Sequence, residues 1–238
     1  MNRRNALRTL VLSLAAVASR AGAQRSRGVP VVGLLIGVGL LIVAKLLSDS
    51  SPMIAAIAVL GFWVLVTGGL HLDGLADSAD AWVGGHGSRE RTLEIMKDPR
   101  CGPMAVVVLV LVLLAKYAAL VALLDAPSGT TALLVAPLLA RAAMPALFYT
   151  TDYARANGLG SALADYLPRN QVPWVLIACA LAVLVMDGGR GFAALGAVAL
   201  AFAGLRHLMV RRLGGTTGDT AGATLEICET AALLAASL

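Results

Sequence analysis

The sequence predicts an all-α, polytopic integral membrane protein that forms a single domain over residues 1–238. Of its 238 residues, 58% are hydrophobic and only 14% are charged, and the mean hydropathy is +0.82. A soluble α-helical protein would need charged outer faces on most helices, whereas long stretches here carry one charge or none. We therefore expect the chain to fold in a lipid bilayer.

Six apolar segments reach or approach the length of about 20 residues that a membrane-spanning helix needs. Short connections at 48–52, 125–129 and 187–190 alternate with longer polar ones. A shorter apolar stretch, residues 225–238, follows them and is expected to form a further helix. The six predicted spans are residues 31–47, 53–70, 103–124, 130–150, 172–186 and 191–209.

The basic residues predict which side of the membrane each connection faces. Most Lys and Arg residues lie in the amino-terminal arm and in the long connections at 71–102, 151–171 and 206–224. Only Arg190 lies in a short connection, and Lys45, Lys116 and Arg141 lie inside predicted spans. By the positive-inside rule, the amino terminus and the long connections face the cytoplasm of a bacterial inner membrane. The net charge of +5 does not indicate nucleic acid, because aromatic residues are not interleaved with the basic ones.

Residues 1–30 are predicted to form an arm outside the spans. Basic residues bracket an apolar stretch near 10–18 that is too short to cross the membrane, which favours an interfacial or re-entrant helix. A secretory signal peptide is the alternative, because residues 21–23 imitate a cleavage site. The three cysteines have no metal-ligand or paired spacing and are interpreted as packing residues.

Three aspartates follow the second span directly. Asp73, Asp77 and Asp80 fall on one helical face at about 100° per residue. Like charges at this spacing repel, and no Lys or Arg stands at the compensating positions. Mg²⁺ relieves such repulsion, since it prefers oxygen ligands and commonly bridges carboxylates to substrate phosphates. The pattern predicts metal and phosphate chemistry, with a solvated acidic helix start as the alternative.

The same connection continues with charges of both signs. Glu94 and Asp98 share a helical face. Lys97 and Arg100 are close enough to contact phosphate oxygens that a metal leaves exposed. We therefore treat the whole of 71–102 as one cytoplasmic active-site segment.

A second active-site segment is predicted at 206–224. Its glycines, Gly214, Gly215 and Gly218, let backbone amides approach an anion, and Thr217 or a neighbour can cap the helix that follows. If that helix begins near Asp219, Glu226 lies two turns further along nearly the same side. Carboxylates in an apolar helix are costly unless they face a polar cavity or a cation. We expect both acidic regions to line one site.

Two arginines are also candidates for this site. Arg155 follows the fourth span and can bind a substrate, although a plain turn explains it equally well. Arg141 lies deeper in that span, where an unpaired guanidinium is costly, so it should pair with an acid or reach the site.

These segments resemble the cobalamin synthase family, adenosylcobinamide-GDP ribazoletransferase. The resemblance rests on residues 68–80, 94–102 and 214–219 and extends from about residue 31 to the end of the chain. It implies a Mg²⁺-dependent membrane enzyme that joins adenosylcobinamide-GDP to α-ribazole, or to α-ribazole 5′-phosphate, and releases GMP. The product is adenosylcobalamin or its 5′-phosphate. Its motif positions correspond here to Asp73, Asp77, Asp80, Glu94, Lys97, Asp98 and Arg100.

The resemblance and the charge pattern together suggest roles for individual residues. Asp80 or Glu94 would accept the proton of the attacking hydroxyl, while Lys97 and Arg100 would neutralise the departing GMP. The predicted metal ligands are Asp73, Asp77, Asp80, Asp98, Asp219 and Glu226. The predicted contacts to substrate phosphate or nucleotide are Gly214, Gly215, Thr217, Gly218 and Arg155.

Two other classes of membrane protein share some of these sequence features. CDP-alcohol phosphotransferases of phospholipid synthesis also use membrane aspartates, but Asp77 occupies the place of the arginine in their usual Asp-Gly-x-x-Ala-Arg pattern. In an ion-coupled transporter the acids would lie near the bilayer midplane, whereas here they cluster in connections at one surface. The amino terminus departs from the cobalamin synthase pattern at 18–22. Homo-oligomerisation is left open.

Overall fold

A computed structural model describes residues 28–155 and 167–238. Within these ranges the chain is built from α-helices and one 3-10 turn, and its only extended pairing is an isolated bridge between Tyr153 and Thr216. The predicted all-α class is confirmed. The predicted arm at 1–30 lies outside the described residues, except that residues 28–30 belong to the first helix.

Eight α-helices are described, and we number them in chain order. A 3-10 turn, Gly129–Thr131, precedes the sixth. The helices are α1 (Gly28–Leu46), α2 (Pro52–Thr67), α3 (Leu70–Gly84), α4 (Arg89–Ile95), α5 (Pro103–Asp125), α6 (Ala132–Thr150), α7 (Val172–Leu213) and α8 (Gly218–Ser237).

Several of these helices are long and apolar enough to cross a membrane. In the described part of the chain, α1, α5, α6 with its preceding turn, and α7 meet this condition, and α2 with α3 forms a fifth candidate that is bent by 87°. We treat α2 as the membrane segment of that pair. Helix α3 turns away from it and carries aspartates on one face, as expected at the membrane boundary.

Two consecutive glycines make the sharp bend between α2 and α3. Gly68 has φ 64° and Gly69 has φ 67°, a left-handed conformation that side chains disfavour. The amides of both glycines donate to carbonyls of the last turn of α2, which ends the helix as a left-handed cap. The sequence prediction continued the second span to residue 70, so the bend lies inside the predicted boundary.

Helix α7 contains two antiparallel halves. Gly188 has a non-helical backbone with φ 51°, and an ideal Cβ on Gly191 would lie 2.6 Å from the carbonyl oxygen of Val183. Residues eight apart on a straight helix are separated by about 12 Å, so the chain must double back here. The halves match the predicted spans 172–186 and 191–209, and the turn matches the predicted short connection.

Helix α8 lies at the centre of the fold and packs against α3, α5, α6 and α7. Most of its residues are buried. It begins at Gly218, one residue before the helix start that the sequence analysis placed near Asp219, whereas the predicted apolar stretch at 225–238 covers only its later part. Its many Gly, Ala and Thr residues lower its hydropathy, but small residues allow helices to pack closely.

Candidate active site

The aspartate face of α3 opens onto a cavity of about 290 Å³. The opposite wall is formed by the segment that leads into α5 and by the first turns of that helix. The two regions come together because α3 and α5 pack against each other. The lining residues are Gly69, Leu72, Asp73, Ala76, Asp77, Asp80, Pro99, Arg100, Cys101, Ala105 and Leu109.

Asp80 joins the two walls of this cavity. One of its carboxylate oxygens accepts a hydrogen bond from the Gly102 amide at 2.6 Å, and the other accepts one from the Ala105 amide at 2.9 Å. These are orphan amides at the start of α5, so Asp80 acts as a helix cap supplied by another helix. With both oxygens engaged, the predicted roles of Asp80 as proton acceptor and metal ligand gain no support from this geometry.

Asp219 approaches the aspartate face from the start of α8. An ideal Cβ on Gly74 would lie 2.8 Å from the Asp219 carbonyl oxygen, so the backbones of α3 and α8 are in direct contact. The Asp219 carboxylate accepts a hydrogen bond from Arg155 at 2.7 Å. The structure thus brings the predicted residues Asp219 and Arg155 to the face that carries Asp73 and Asp77.

The carboxylates of this group repel one another. Burial, together with the neighbouring charges of Asp73 and Asp219, raises the pKa of Asp77 to about 6, although Arg155 opposes this shift. Burial also raises the pKa of Asp219, with Arg155 again opposing. One guanidinium therefore does not balance the negative charge gathered at this position.

The glycine-rich connection has mainly a structural role in this arrangement. Gly214, with φ 70°, ends α7, and Thr217 caps α8 through a reciprocal pair of hydrogen bonds with Thr220. Gly215 packs against the Asp152 carbonyl. The Thr217 amide is already engaged, so the predicted anion-binding role of that backbone group gains no support. The predicted helix cap at Thr217 is present.

This connection also explains how Arg155 reaches Asp219. The Thr216 amide donates to the Asp152 carbonyl at 2.8 Å, and the Ala154 amide donates to the Thr216 carbonyl at 2.7 Å. The two segments therefore run side by side, which places Arg155 next to the first turn of α8. Gly218, the first residue of that helix, lies beside the Tyr153 hydroxyl.

Most of the charged residues in α4 and in the segment after it do not line the aspartate cavity. Asp98 forms a two-pronged ion pair with Arg100, with contacts of 2.6 Å and 2.9 Å, and these hydrogen bonds lower the pKa of Asp98 to about 2. Arg100 lines the cavity, whereas Asp98 does not. Glu94 pairs with the exposed Arg91 at 2.7 Å. Of the predicted catalytic residues Glu94, Lys97 and Arg100, the structure brings only Arg100 to the cavity wall.

Glu226 occupies a separate, buried cluster. It contacts Lys116 at 2.5 Å, and Glu229 contacts Lys116 and Arg141 at 2.6 Å and 2.7 Å. The expected pairing of Arg141 with an acid is therefore present. We expected both acidic regions to line one site, but the structure does not place Glu226 at the cavity. Its carboxylate is paired with Lys116 inside the fold.

The cavity carboxylates fit a loosely held Mg²⁺ ion better than a closed metal site. Among the described residues, no group of three or more His, Cys, Asp and Glu side chains is arranged to hold a metal. Mg²⁺ usually takes one or two protein carboxylates and completes its shell with water and substrate phosphates. Asp73 and Asp77 suit that role, because Arg155 only partly offsets their repulsion and both line the cavity.

Some parts of this site were missed by reasoning from the sequence. Cys101 lines the cavity and is exposed, although it was interpreted as a packing residue. The capping contact of Asp80 was also missed, because it joins residues 22 and 25 positions apart. The glycine at 102 was the available signal, since a side chain there would meet the Asp80 carboxylate.

Membrane-length helices and a cavity lined by carboxylates define an integral membrane protein with a candidate ligand-binding site in that cavity. The chain belongs to the cobalamin-5-phosphate synthase (CobS) family, whose model matches residues 7–237. This agrees with the resemblance found in its motifs. The chain is therefore an enzyme, a transferase of cobalamin biosynthesis.

Curated relatives match most of the chain. Proteins named adenosylcobinamide-GDP ribazoletransferase from Pseudomonas savastanoi pv. phaseolicola and Pseudomonas fluorescens (strain SBW25) are each 57% identical over 209 residues, which is 88% of this chain and 86% of the relative. A protein of the same name from Pseudomonas putida (strain GB-1) is 56% identical, over 88% of this chain and 85% of its own. No solved structure matches the chain.

Proposed function

We propose that this enzyme joins adenosylcobinamide-GDP to α-ribazole, or to its 5′-phosphate, in a Mg²⁺-dependent reaction at the cavity beside α3. The observation that carries the substrate assignment is the shared name of relatives with 57% identity over 88% of the chain. The aspartate-lined cavity supports the metal dependence, because unbalanced carboxylates suit a cation that binds a diphosphate.

The reaction is a substitution at phosphorus. A ribose hydroxyl of α-ribazole attacks the phosphorus attached to cobinamide, the bond from that phosphorus to the bridging oxygen breaks, and GMP leaves with that oxygen. The hydroxyl proton passes to a cavity carboxylate or to water. Such transfers depend mainly on positioning and electrostatic stabilisation.

The residues in and around the cavity have different proposed roles. Asp73 and Asp77 would hold Mg²⁺, which when bound neutralises diphosphate charge. Arg100 on the opposite wall and Arg155 beside Asp219 supply positive charge to the site. Asp80 keeps the wall that carries Arg100 tied to α3. Glu94 and Lys97, which are exposed near α4, have no assigned part in this scheme.

We further propose that the protein lies in a bacterial inner membrane with this cavity facing the cytoplasm. The basic residues of the 71–102 connection and of the end of α7 support this orientation by the positive-inside rule. Nucleotide-linked and phosphorylated substrates would then meet the site on the side where they are made.

The direct test is an assay of the purified protein in detergent or lipid nanodiscs, with adenosylcobinamide-GDP and α-ribazole and with or without Mg²⁺. We expect equimolar GMP and an adenosylcobalamin-type product only when Mg²⁺ is present. GMP release without the joined product would indicate a hydrolase and contradict the proposal. Turnover of a CDP-alcohol donor instead would assign the other phosphotransferase class.

A further inference from the structure

Four charged side chains form a cluster inside the helical bundle, which we call the buried ion-pair network: Lys116 on α5, Arg141 on α6, and Glu226 and Glu229 on α8. Three contacts of 2.5–2.7 Å join them. Their side chains are only 1–4% exposed.

The network is electrically balanced. Two cations face two carboxylates, and Glu229 bridges both cations by using one oxygen for each. Burying an unpaired charge inside a membrane protein is costly, whereas a paired set that is fully hydrogen-bonded is tolerated. Removing any one member would therefore leave an uncompensated charge in a medium of low dielectric.

The network restricts where α8 can sit along its own axis. Sliding α8 by one turn, about 5.4 Å, would move one of the two glutamates away from the cations and bring the other to about its place, so that two cations would face one carboxylate. The packing of α8 on α3 brings the two backbones together at Gly74 and Gly222. Polar contacts in an apolar interior are well suited to specifying register.

The two parts of α8 make different contacts: its start packs on α3, and its later turns carry the glutamates of the network. Ten residues before Glu229, Asp219 touches α3 at Gly74 and contributes to the charge around Asp77. His71, at the start of α3, lies within electrostatic range of Arg141, Glu229 and Lys116, and Lys116 stacks 4.9 Å from the Trp63 ring centroid on α2. The network therefore adjoins the helix that carries the aspartates as well as α8.

We propose that the buried ion-pair network positions the active site by holding α8 in the one register that places Asp219 beside the aspartate face of α3. Its members are positioning residues that act through Asp219 and do not touch substrate. This inference depends on the proposed function in one respect only, because its test uses that enzyme activity as the readout.

The test is a double-mutant cycle on Lys116 and Glu226. Lys116→Met and Glu226→Gln each leave one net charge in the network, whereas the double variant leaves the neutral Arg141–Glu229 pair intact. We expect each single variant to lose at least about tenfold in kcat/KM per folded enzyme, and the double variant to return to within about threefold of wild type. Lys116→Arg, which keeps the charge, should also retain most activity.

Two controls separate positioning from simple folding. Lys45→Met makes the same chemical change at an exposed position of α1 and should match wild type. Folded amount is measured by size-exclusion chromatography and thermal unfolding, and activity is expressed per folded molecule. A merely structural role would reduce the folded amount and leave kcat and KM of the remaining enzyme unchanged, which would overturn the proposal.

Each remaining outcome is decisive. If the single variants fail to fold while the double variant folds and is active, the network has a merely structural role and the proposal is overturned. If the fold loss in kcat/KM of the double variant equals the product of the two single losses, the proposal is overturned and a direct ligand role for Glu226 is favoured. Failure of wild type to make the joined product would instead count against the proposed function, which the cycle does not test.

Discussion

Gly74 and Asp219 meet backbone to backbone, and a Cβ on Gly74 would lie 2.8 Å from the Asp219 carbonyl oxygen. This contact joins the aspartate helix α3 to the start of α8, which are 145 positions apart in sequence. A carbonyl oxygen of a packed helix cannot yield as a flexible side chain can. The spacing of the two helices at the site therefore depends on the absence of a side chain at position 74.

We expect Gly74→Ala to separate α3 from α8 and to disturb the site. Overpacking of this kind costs about 1–3 kcal/mol in stability, and the change should also lower turnover per folded enzyme. Thermal unfolding in detergent and steady-state kinetics would measure both effects. Gly61→Ala is the matched control, because nothing lies within 4 Å of a Cβ at that position of α2 and alanine favours a helix. Equal behaviour of the two variants would refute the close-contact argument.

Asp77→Asn should abolish turnover without preventing folding. The substitution preserves size but removes the charge that we assign to metal binding, and we expect a loss of at least about a hundredfold. Membrane insertion and the thermal unfolding midpoint should remain near wild type. Activity that persists in this variant at saturating Mg²⁺ would exclude Asp77 as a required ligand.

The affinity for Mg²⁺ should depend on pH through Asp77. Its pKa is raised to about 6, so the carboxyl is protonated below that pH, and protons then compete with the metal. The apparent affinity should therefore be constant well above pH 6 and weaken by up to about tenfold per pH unit below it. Mg²⁺ titration of activity between pH 5 and pH 8, within the range where the enzyme stays folded, would test the direction in which the apparent affinity changes with pH. An affinity that rises as pH falls would contradict it.

Asp80→Asn should affect the protein differently from Asp77→Asn. In asparagine one of the two acceptor oxygens becomes an NH2 group that donates, so one of the hydrogen bonds from the Gly102 and Ala105 amides is lost and this cap of α5 is weakened by about 0.5–2 kcal/mol. We expect a lower thermal midpoint and a higher KM, with the apparent affinity for Mg²⁺ of the folded enzyme little changed. A loss of Mg²⁺ affinity equal to that of Asp77→Asn would restore the sequence-based assignment of Asp80 as a metal ligand.

Cys101 provides a chemical probe of the cavity. It is the exposed cysteine of the three and lines the cavity, whereas Cys179 and Cys228 are buried. A maleimide should label one site per folded chain and inactivate the enzyme, and adenosylcobinamide-GDP should slow the reaction. Mass spectrometry identifies the modified residue. Rapid labelling of Cys101 that substrate does not affect would place substrate elsewhere.

The same thiol tests orientation. A membrane-impermeant maleimide should reach Cys101 in inverted inner-membrane vesicles and not in intact spheroplasts. The opposite pattern would show that the cavity faces the periplasm and would contradict the basic-residue assignment.

Most membrane segments could be predicted from the sequence because hydrophobicity and chain length act locally. The boundaries of α5 and of the α7 turn lie close to the predicted ones. The predicted apolar stretch at 225–238 covers only the later part of α8, because the small residues of its first turns suit packing inside protein but score as weakly apolar. The predicted second span ended too late, at residue 70, because two glycines can end a helix before its apolar pattern ends.

The sequence by itself determined the fold class, the family motifs and the shared helical face of Asp73 and Asp77, since these depend on composition and on the period of a helix. Only the tertiary structure decided which charges meet. It joined Arg155 to Asp219, engaged Asp80 with the start of α5, and paired Glu226 with Lys116. These contacts link residues far apart in the chain, and a carboxylate's role depends on the partner that reaches it, which local sequence does not specify.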